Sequence, residues 1–273
     1  MRMQPKRVVF TDLDGTLLDF ATYSYAKALE ALRQLQEKEI PIIFCSSKTR
    51  AEQEIYRQKL NINDPFIVEN GGAIFIPRDY FPFDFDHTKI TEDYFVIELG
   101  IPYNRIREKL KKVESEPGLE LKGFGDLSAE EVAEDSGLSL PFAALAKQRE
   151  YAETFIIPDS KEDKKTVLQK IEETGLNWTH GGRYYNAMAG SDKGKAVNIL
   201  SKLFRNKFGE IETIGIGDSQ NDLPMLAAVD IPVLVQKPGN RWEEVNSTSI
   251  HRTEGVGPEG WSAAIRKLFG TKI

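Results

Sequence analysis

Two aspartates with one residue between them, Asp12 and Asp14, offer the most recognisable chemistry in this sequence. They follow the apolar run 8–10 and precede Gly15, where a short buried strand would end. One side chain and the next backbone carbonyl at such a place can supply oxygen ligands to a hard cation. Different surroundings can keep one aspartate ionised as a nucleophile while the other transfers protons. The pair therefore predicts a reaction centre.

An ordinary turn or the start of a calcium-binding loop is the alternative for this stretch, because Asp-x-Asp-Gly opens both. A calcium loop closes with an acidic ligand. Here the run continues instead with Thr16, Leu17 and Leu18. The sequence therefore favours the reaction centre.

The aspartates stand in an alternation of predicted strands and helices. Predicted helices cover residues 25–35 and 50–60, and predicted strands cover 40–45 and 65–68. Ser46 follows the second strand, and Asn70, Gly71 and Gly72 follow the third. Ligands of open parallel sheets bind at the carboxyl ends of the strands. These residues are therefore candidates for the same site as Asp12.

The alternation breaks down in the middle of the chain. That part mixes predicted strands at 94–99 and 152–157, a helix at 160–173 and a hairpin across Gly181 and Gly182, which is typical of an α+β domain. From Asp192 the rhythm of helix and strand returns. We predict an α/β protein with a doubly wound, Rossmann-like parallel-sheet core formed by residues 1–79 and 191–273. An α+β cap domain is predicted as an insertion at residues 80–190.

Further polar residues fall at element ends on the same predicted edge. Lys193 begins a predicted helix, and Asp218, Asn221 and Asp222 follow a predicted strand at 213–217. Carboxylates from two strand ends can hold Mg²⁺, which keeps waters that a phosphate oxygen can replace. A lysine and a hydroxyl such as that of Ser46 would neutralise and orient a phosphoryl group. The set predicts phosphoryl transfer with Mg²⁺ as cofactor.

Composition limits the classes of protein that fit. The chain has 273 residues, 40% of them hydrophobic, and a formal net charge of -6, which argues against nucleic-acid or anionic-membrane binding. No apolar run has the length expected of a signal-peptide core or a membrane span. The single cysteine, Cys45, cannot form an internal disulfide, so we expect a cytoplasmic protein with Cys45 in its core. The oligomeric state stays open.

Four ordered motifs together resemble those of the haloacid dehalogenase-type phosphatases. The motifs are Asp12-Leu13-Asp14-Gly15-Thr16, Ser46, Lys193 and Gly217-Asp218-Ser219-Gln220-Asn221-Asp222. The resemblance implies that Asp12 is phosphorylated during the reaction. It implies that Asp14 protonates the leaving group and then activates water, and that Ser46 and Lys193 bind the phosphoryl group.

The same resemblance implies a metal site and a role for the insertion. Mg²⁺ would be held by Asp12, the backbone carbonyl of Asp14, and Asp218. Asp222 would support the metal through water or orient Lys193. The insertion would be the larger, α+β type of cap, which closes over the core and selects small phosphorylated metabolites.

Other stretches are similar to the mannosyl-3-phosphoglycerate phosphatases, which release the compatible solute mannosylglycerate from its 3-phosphate precursor. These stretches are 44–50, 68–72, 149–151 and 178–185. The resemblance implies a small phosphorylated sugar as substrate. Its glycerate carboxylate would need a cation besides Lys193, and Arg183, with Arg149 as a second candidate, could supply it. The candidate substrate-binding residues are Lys48, Asn70, Gly71, Gly72, Arg149, His180, Arg183 and Asn221. Ser46-Ser47-Lys48 departs from the commoner Thr-Gly-Arg of related sugar phosphatases, which leaves the role of Lys48 open.

Several alternatives remain open from sequence alone. Asn70, Gly71 and Gly72 also suit a plain turn after a strand, and His180 and Arg183 also suit an exposed hairpin. The substrate could be the glucosyl analogue or a hexose phosphate. A phosphomutase would keep the same site, whereas a non-catalytic metabolite-binding protein would not need a nucleophile.

Overall fold

The computed structural model describes residues 5–158, 164–245 and 248–270. The described strands are β1 (Lys6–Thr11), β2 (Ile42–Phe44), β3 (Phe66–Val68), β4 (Ala73–Pro77), β5 (Lys89–Ile90), β6 (Tyr94–Glu98), β7 (Lys122–Gly123), β8 (Glu153–Ile156), β9 (Asn177–Gly181), β10 (Tyr184–Met188), β11 (Ile211–Gly217), β12 (Ile231–Gln236) and β13 (His251–Val256). The described helices are α1 (Leu29–Glu37), α2 (Arg50–Lys59), α3 (Tyr103–Glu114), α4 (Ala129–Ser136), α5 (Leu140–Ala146), α6 (Lys164–Glu173), α7 (Lys193–Phe208), α8 (Leu223–Ala227) and α9 (Pro258–Phe269). Short 3-10 turns cover Ala26–Ala28 and Gln220–Asp222. The predicted first turn of α6, residues 160–163, lies outside the described residues.

The core sheet is parallel, with the strand order β13-β12-β11-β1-β2. β1 pairs with β11 in register from Lys6 opposite Ile211 to Thr11 opposite Ile216. The two strands therefore end side by side at the same edge of the sheet. Asp12 follows one of them and Asp218 the other, so the register itself brings these carboxylates together.

Helices cover both faces of the core sheet, because successive residues of a strand point to opposite faces. Val8 and Phe10 pack with α7 and α8, whereas Val9 packs with α1 and α9. The predicted doubly wound α/β fold is confirmed. Within the described residues, no helix is both long and apolar enough to cross a membrane.

A separate antiparallel sheet, the cap sheet, has the order β7-β8-β10-β9. Phe155 and Ala187 point to one of its faces and pack against Ile106 of α3 and Ile171 of α6. The opposite face is turned away from this small core. The antiparallel sheet with its helices confirms the predicted α+β character of the insertion.

A third sheet, the small sheet, has the order β3-β4-β6-β5 and is also antiparallel. The third predicted strand, β3, belongs to it and touches the core sheet through one parallel bridge, Cys45 to Ile67. Two of its strands precede the predicted boundary between residues 79 and 80 and two follow it. The domain boundaries at 79/80 and 190/191 therefore stay predictions.

Candidate active site

Asp12 and Lys193 form the buried centre of the site. Asp12 is 5% exposed and Lys193 is 1% exposed. Lys193 Nζ, at the first turn of α7, donates to Asp12 Oδ1 at 2.7 Å and to Asp222 Oδ1 at 2.6 Å. Burial alone would lower the pKa of Lys193, but the two aspartates outweigh burial and raise it. Lys193 is therefore a fixed cation beside the Asp12 carboxylate.

Both carboxylate oxygens of Asp222 accept hydrogen bonds from other groups of the protein. Oδ1 accepts from Lys193, and Oδ2 accepts from the backbone N–H groups of Asp218 and Ser219 at 3.0 Å each. These bonds hold the turn after β11 and direct Lys193 toward Asp12. The geometry thus favours orientation of Lys193 as the role of Asp222.

Three carboxylates lie close enough together to hold a metal ion. Ligand oxygens of Asp12, Asp218 and Asp222 lie within 4.8 Å of one another. Burial raises the pKa of Asp12 well above its ordinary value, with a further rise from the charge of Asp222. Burial and Asp222 also raise the pKa of Asp218 to about 7. Such mutual repulsion among hard oxygen donors is what a divalent cation relieves, so the donor set fits one.

Asp14 lines the same cleft as Asp12 and Asp218 but has a different partner. Its Oδ2 lies 3.0 Å from Lys48 Nζ, which also lies 3.1 Å from Glu52 Oε1. Burial raises the pKa of Asp14, and Lys48 opposes that rise. The Asp14 Oδ1 is buried and accepts no hydrogen bond from the described residues. One oxygen is thus held in place while the other remains available to a reacting group.

The second-motif residues and the turn after β3 are packed together. Ser46 is fully buried, and its Oγ accepts the backbone N–H of Lys48 at 3.3 Å. Asn70 Oδ1 accepts from Asn221 Nδ2 at 3.1 Å. Gly71 has φ +95°, and a Cβ there would collide with the backbone oxygen of Asp192.

Gly72 packs against Tyr151 in the same region. None of the four residues Ser46, Asn70, Gly71 and Gly72 lines the cleft described below. Their substrate roles stay predictions, and the structure gives Gly71 a role in close packing.

One cleft lies between the core edge and the cap sheet, with about 770 Å³ of empty space including its mouth. The core contributes Asp12, Asp14, Phe20, Tyr23, Ser47, Lys48, Glu52, Asp218, Ser219 and Asn221. The cap contributes Phe124, Ser136, Leu138, Ala146, Arg149, Thr154, Gly181, Gly182, Arg183, Tyr184 and Asn186. At the contact between the two, a Cβ on Gly181 would lie 2.7 Å from Asn221 Oδ1, so a larger residue at position 181 would force the Asn221 side chain to shift.

Three candidate substrate-binding residues of the cap, Arg149, Arg183 and His180, lie at different positions relative to the cleft. Arg149 lines the cleft. Its Nε donates a hydrogen bond to Ala152 O at 2.6 Å, and one terminal nitrogen donates to Ser47 O at 3.1 Å. Arg183 lines the mouth, with its guanidinium 5.4 Å from the Phe20 ring centroid. His180 lies opposite Tyr185 in register, on the sheet face away from the cleft. The structure therefore brings the two arginines to the site and leaves His180 outside it.

Several lining residues were not singled out in the sequence. Glu52 is one, although Thr49 followed three residues later by Glu52 is a recognisable capping box, and the structure contains it. Thr16 donates to Asp218 Oδ1 at 3.3 Å, and Ser219 donates to Asp218 Oδ2 at 2.9 Å. No local sequence pattern predicts that the cap residues Thr154 and Asn186 lie in the cleft. They come together only through the pairing of β8 with β10.

Comparison with protein families gives one match over most of the chain. The haloacid dehalogenase-like hydrolase family matches residues 9–95 and 128–249. These ranges contain all four motifs of the site.

Individual relatives agree with that match. The chain is 50% identical over 266 residues to a glucosyl-3-phosphoglycerate/mannosyl-3-phosphoglycerate phosphatase of Methanococcoides burtonii, covering 97% of this chain and 98% of the relative. It is 43% identical to a mannosyl-3-phosphoglycerate phosphatase of Pyrococcus furiosus, covering 84% and 90%. A haloalkanoate-superfamily phosphatase structure from Bacteroides thetaiotaomicron matches with a TM-score of 0.67 at 19% identity, covering 97% and 96%. This last likeness shows the fold.

Proposed function

Because the chain belongs to the haloacid dehalogenase-like hydrolases, we propose that it hydrolyses mannosyl-3-phosphoglycerate to mannosylglycerate and phosphate. The observation that carries the proposal is that Asp12, Asp14 and Asp218 line one cleft whose other wall is the cap, with Lys193 donating a hydrogen bond to Asp12. The names of the relatives support the choice of substrate.

In the proposed mechanism Asp12 is the nucleophile. Its carboxylate oxygen forms a bond to phosphorus while the bond from phosphorus to the glycerate oxygen breaks. Asp14 gives its proton to that leaving oxygen and then takes a proton from the water that releases phosphate from Asp12. Lys193 offsets negative charge on the phosphoryl oxygens. The raised pKa of Asp14 suits a group that must carry a proton at the start.

We propose Mg²⁺ as the cofactor, held by Asp12 and Asp218 with the backbone carbonyl of Asp14. When bound, Mg²⁺ would offset the charge of the phosphoryl oxygens and of the clustered carboxylates. Asp222 would keep Lys193 in place, as its hydrogen bonds indicate. Thr16 and Ser219 would fix the orientation of Asp218.

The glycerate carboxylate is a second anionic group of the proposed substrate and needs a cation of its own. Lys48 already forms ion pairs with Asp14 and Glu52. Arg149 donates hydrogen bonds to two backbone carbonyls. Arg183 makes one long hydrogen bond, to Asp135 O at 3.4 Å, and forms no ion pair with any residue that the structure describes, and it lines the cleft. We therefore propose Arg183 as the main carboxylate ligand, with Arg149 supporting it.

Glucosyl-3-phosphoglycerate is the second candidate substrate. The relative from Methanococcoides burtonii carries both substrates in its name. The two sugars are epimers, so they would present the same phosphate and carboxylate to the site. We place the reaction in the cytoplasm, since the single cysteine is buried and suits a reducing compartment.

The test of this function is phosphate release by the purified protein from a panel of phosphate esters. Mannosyl- or glucosyl-3-phosphoglycerate should give a higher kcat/KM than hexose phosphates or 3-phosphoglycerate. EDTA should stop release, and added Mg²⁺ should restore it. Preference for a simple hexose phosphate would overturn the substrate, and full activity after exhaustive chelation would overturn the cofactor.

Replacement of Arg183 by alanine tests the proposed carboxylate contact. The ratio of kcat/KM for mannosyl-3-phosphoglycerate to that for p-nitrophenyl phosphate should fall about 10- to 100-fold, since a hydrogen bond to a charged group contributes roughly 1.5–3 kcal/mol. Arg78→Ala is the matched control, because Arg78 also lies over a ring, that of Phe95, but outside the cleft lining. An unchanged ratio in Arg183→Ala would exclude the contact.

A further inference from the structure

A polar pair on the cap sheet faces the cleft and has no part in the proposed phosphoryl chemistry. Thr154 of β8 lies opposite Asn186 of β10 in the strand register. The Thr154 hydroxyl donates to Asn186 Oδ1 at 2.9 Å. The two residues are only 6% and 3% exposed, and both line the cleft.

Strand alternation places this pair on the outward face of the cap sheet. Their neighbours Phe155 and Ala187 pack into the cap interior with α3 and α6. Thr154 and Asn186 therefore point the other way, toward the core edge. Tyr184, two residues before Asn186, shares that face and also lines the cleft.

The side-chain amide nitrogen of Asn186 is available as a hydrogen-bond donor. Its oxygen is used by Thr154, but its Nδ2 makes no hydrogen bond to any residue within the described ranges. These N–H groups are therefore available to donate to a ligand in the cleft. The Thr154 oxygen can still accept a hydrogen bond. Together the pair offers donors and an acceptor at one point of the cap wall.

The surroundings of the pair are apolar and aromatic. The Phe124 and Tyr184 rings lie edge to face, with centroids 5.2 Å apart, and Phe124 N–H donates to Thr154 O at 2.8 Å. Both rings line the cleft beside the pair. Neutral donors and acceptors between aromatic rings suit sugar hydroxyls with their adjoining C–H faces better than they suit an anion.

We propose that Asn186 and Thr154 form the subsite for the hydroxyl groups of the sugar ring, with Asn186 as the specificity-determining donor. This inference rests on the proposed function, because it assumes a glycosyl group on the phosphate ester. The phosphoryl group would lie at Asp12 on the core, and the sugar would lie against the cap wall. Selection for a glycosylated substrate would then come from the cap sheet.

The test compares mannosyl-3-phosphoglycerate with 3-phosphoglycerate, which lacks only the sugar. The ratio of their kcat/KM values should fall about tenfold or more in Asn186→Ala, because its amide would no longer meet a hydroxyl. Asn186→Leu, which keeps more side-chain volume, should show the same fall if Asn186→Ala is unstable. Thr179→Ala is the matched control, because Thr179 lies opposite Asn186 on β9 but outside the cleft lining. Its ratio should match that of the wild type.

An equal loss on both substrates, or no change in the ratio, would overturn the subsite. Failure of the proposed function is a separate result: the wild type would then release phosphate from neither glycosyl phosphoglycerate. In that case the preferred hexose phosphate is compared with p-nitrophenyl phosphate. A fall of this second ratio in Asn186→Leu supports the sugar subsite, and an unchanged ratio overturns it.

Discussion

Replacement of Asp12 by asparagine should lower phosphate release by a factor on the order of 10⁴ or more, as expected for loss of a covalent nucleophile. An amide is a far poorer nucleophile than a carboxylate and a poorer ligand for Mg²⁺. The loss should appear equally on mannosyl-3-phosphoglycerate and on p-nitrophenyl phosphate. In the proposed mechanism Asp12 attacks the phosphorus itself, so both substrates depend on it.

The fold should survive the Asp12→Asn change. Burial and the charge of Asp222 raise the pKa of Asp12 in the folded protein. Without a metal ion, ionised Asp12 therefore lowers the free energy of unfolding at any pH above the pKa that aspartate has in the unfolded chain. The melting temperature of the metal-free variant should therefore equal or exceed that of the wild type. Asp64→Asn is the matched control, because Asp64 is another carboxylate with a pKa raised by burial but lies outside the cleft lining. Appreciable turnover by pure Asp12→Asn protein would disprove covalent catalysis at this residue.

Replacement of Asp14 by asparagine should slow turnover about 10²- to 10⁴-fold, the usual contribution of a general acid and base. The loss should depend on the leaving group in a way that Asp12→Asn does not. p-Nitrophenolate leaves without a proton, whereas the glycerate oxygen needs one. Asp14→Asn should therefore still form the phosphoenzyme from p-nitrophenyl phosphate but release phosphate slowly.

Rapid mixing distinguishes these two steps. Asp14→Asn should give a burst of p-nitrophenol, close to one equivalent per site, followed by slow turnover. Asp19→Asn is the control, since Asp19 lies in the adjoining loop and bonds Thr22 outside the cleft lining. If Asp14→Asn kept the wild-type rate on mannosyl-3-phosphoglycerate at every pH, Asp14 would not be the proton-transfer group.

The core of the site was accessible from sequence because it depends on local patterns. A strand that ends at Asp12, and another that ends at Asp218, must share an edge once both lie in a parallel sheet. The helix start at Lys193 was also a local signal, and the structure has α7 begin at that residue. Resemblance to the four family motifs added the separate roles of these residues.

The cap wall was not accessible in the same way. The pairing of Thr154 with Asn186 depends on the register of β8 with β10, which neither strand specifies alone. Likewise, the sequence does not predict the role of Lys48, because its partners Asp14 and Glu52 come from different elements. His180 shows how neighbours in sequence can differ in position: Gly181 and Arg183 line the cleft, but strand alternation turns His180 to the other face. Its role in substrate binding stays a prediction.

The sequence does not predict the edge strand β13 either. Four of its six residues, His251, Arg252, Thr253 and Glu254, are polar, so no apolar alternation marks it. Its pairing with β12 shifts register between Leu234 and Gln236, which further blurs any pattern. Such an edge strand is defined by the neighbour it pairs with.

The most direct test of the central claim is to find which residue carries the phosphoryl group. Asp14→Asn with Mg²⁺ would be mixed with p-nitrophenyl phosphate, quenched in acid during the burst, and digested for mass spectrometry. The account predicts one phosphoryl group per chain, on the peptide that contains Asp12, and none when Asp12 is also replaced by asparagine. A burst of p-nitrophenol with the phosphoryl group on another residue, or with none on the protein, would contradict it.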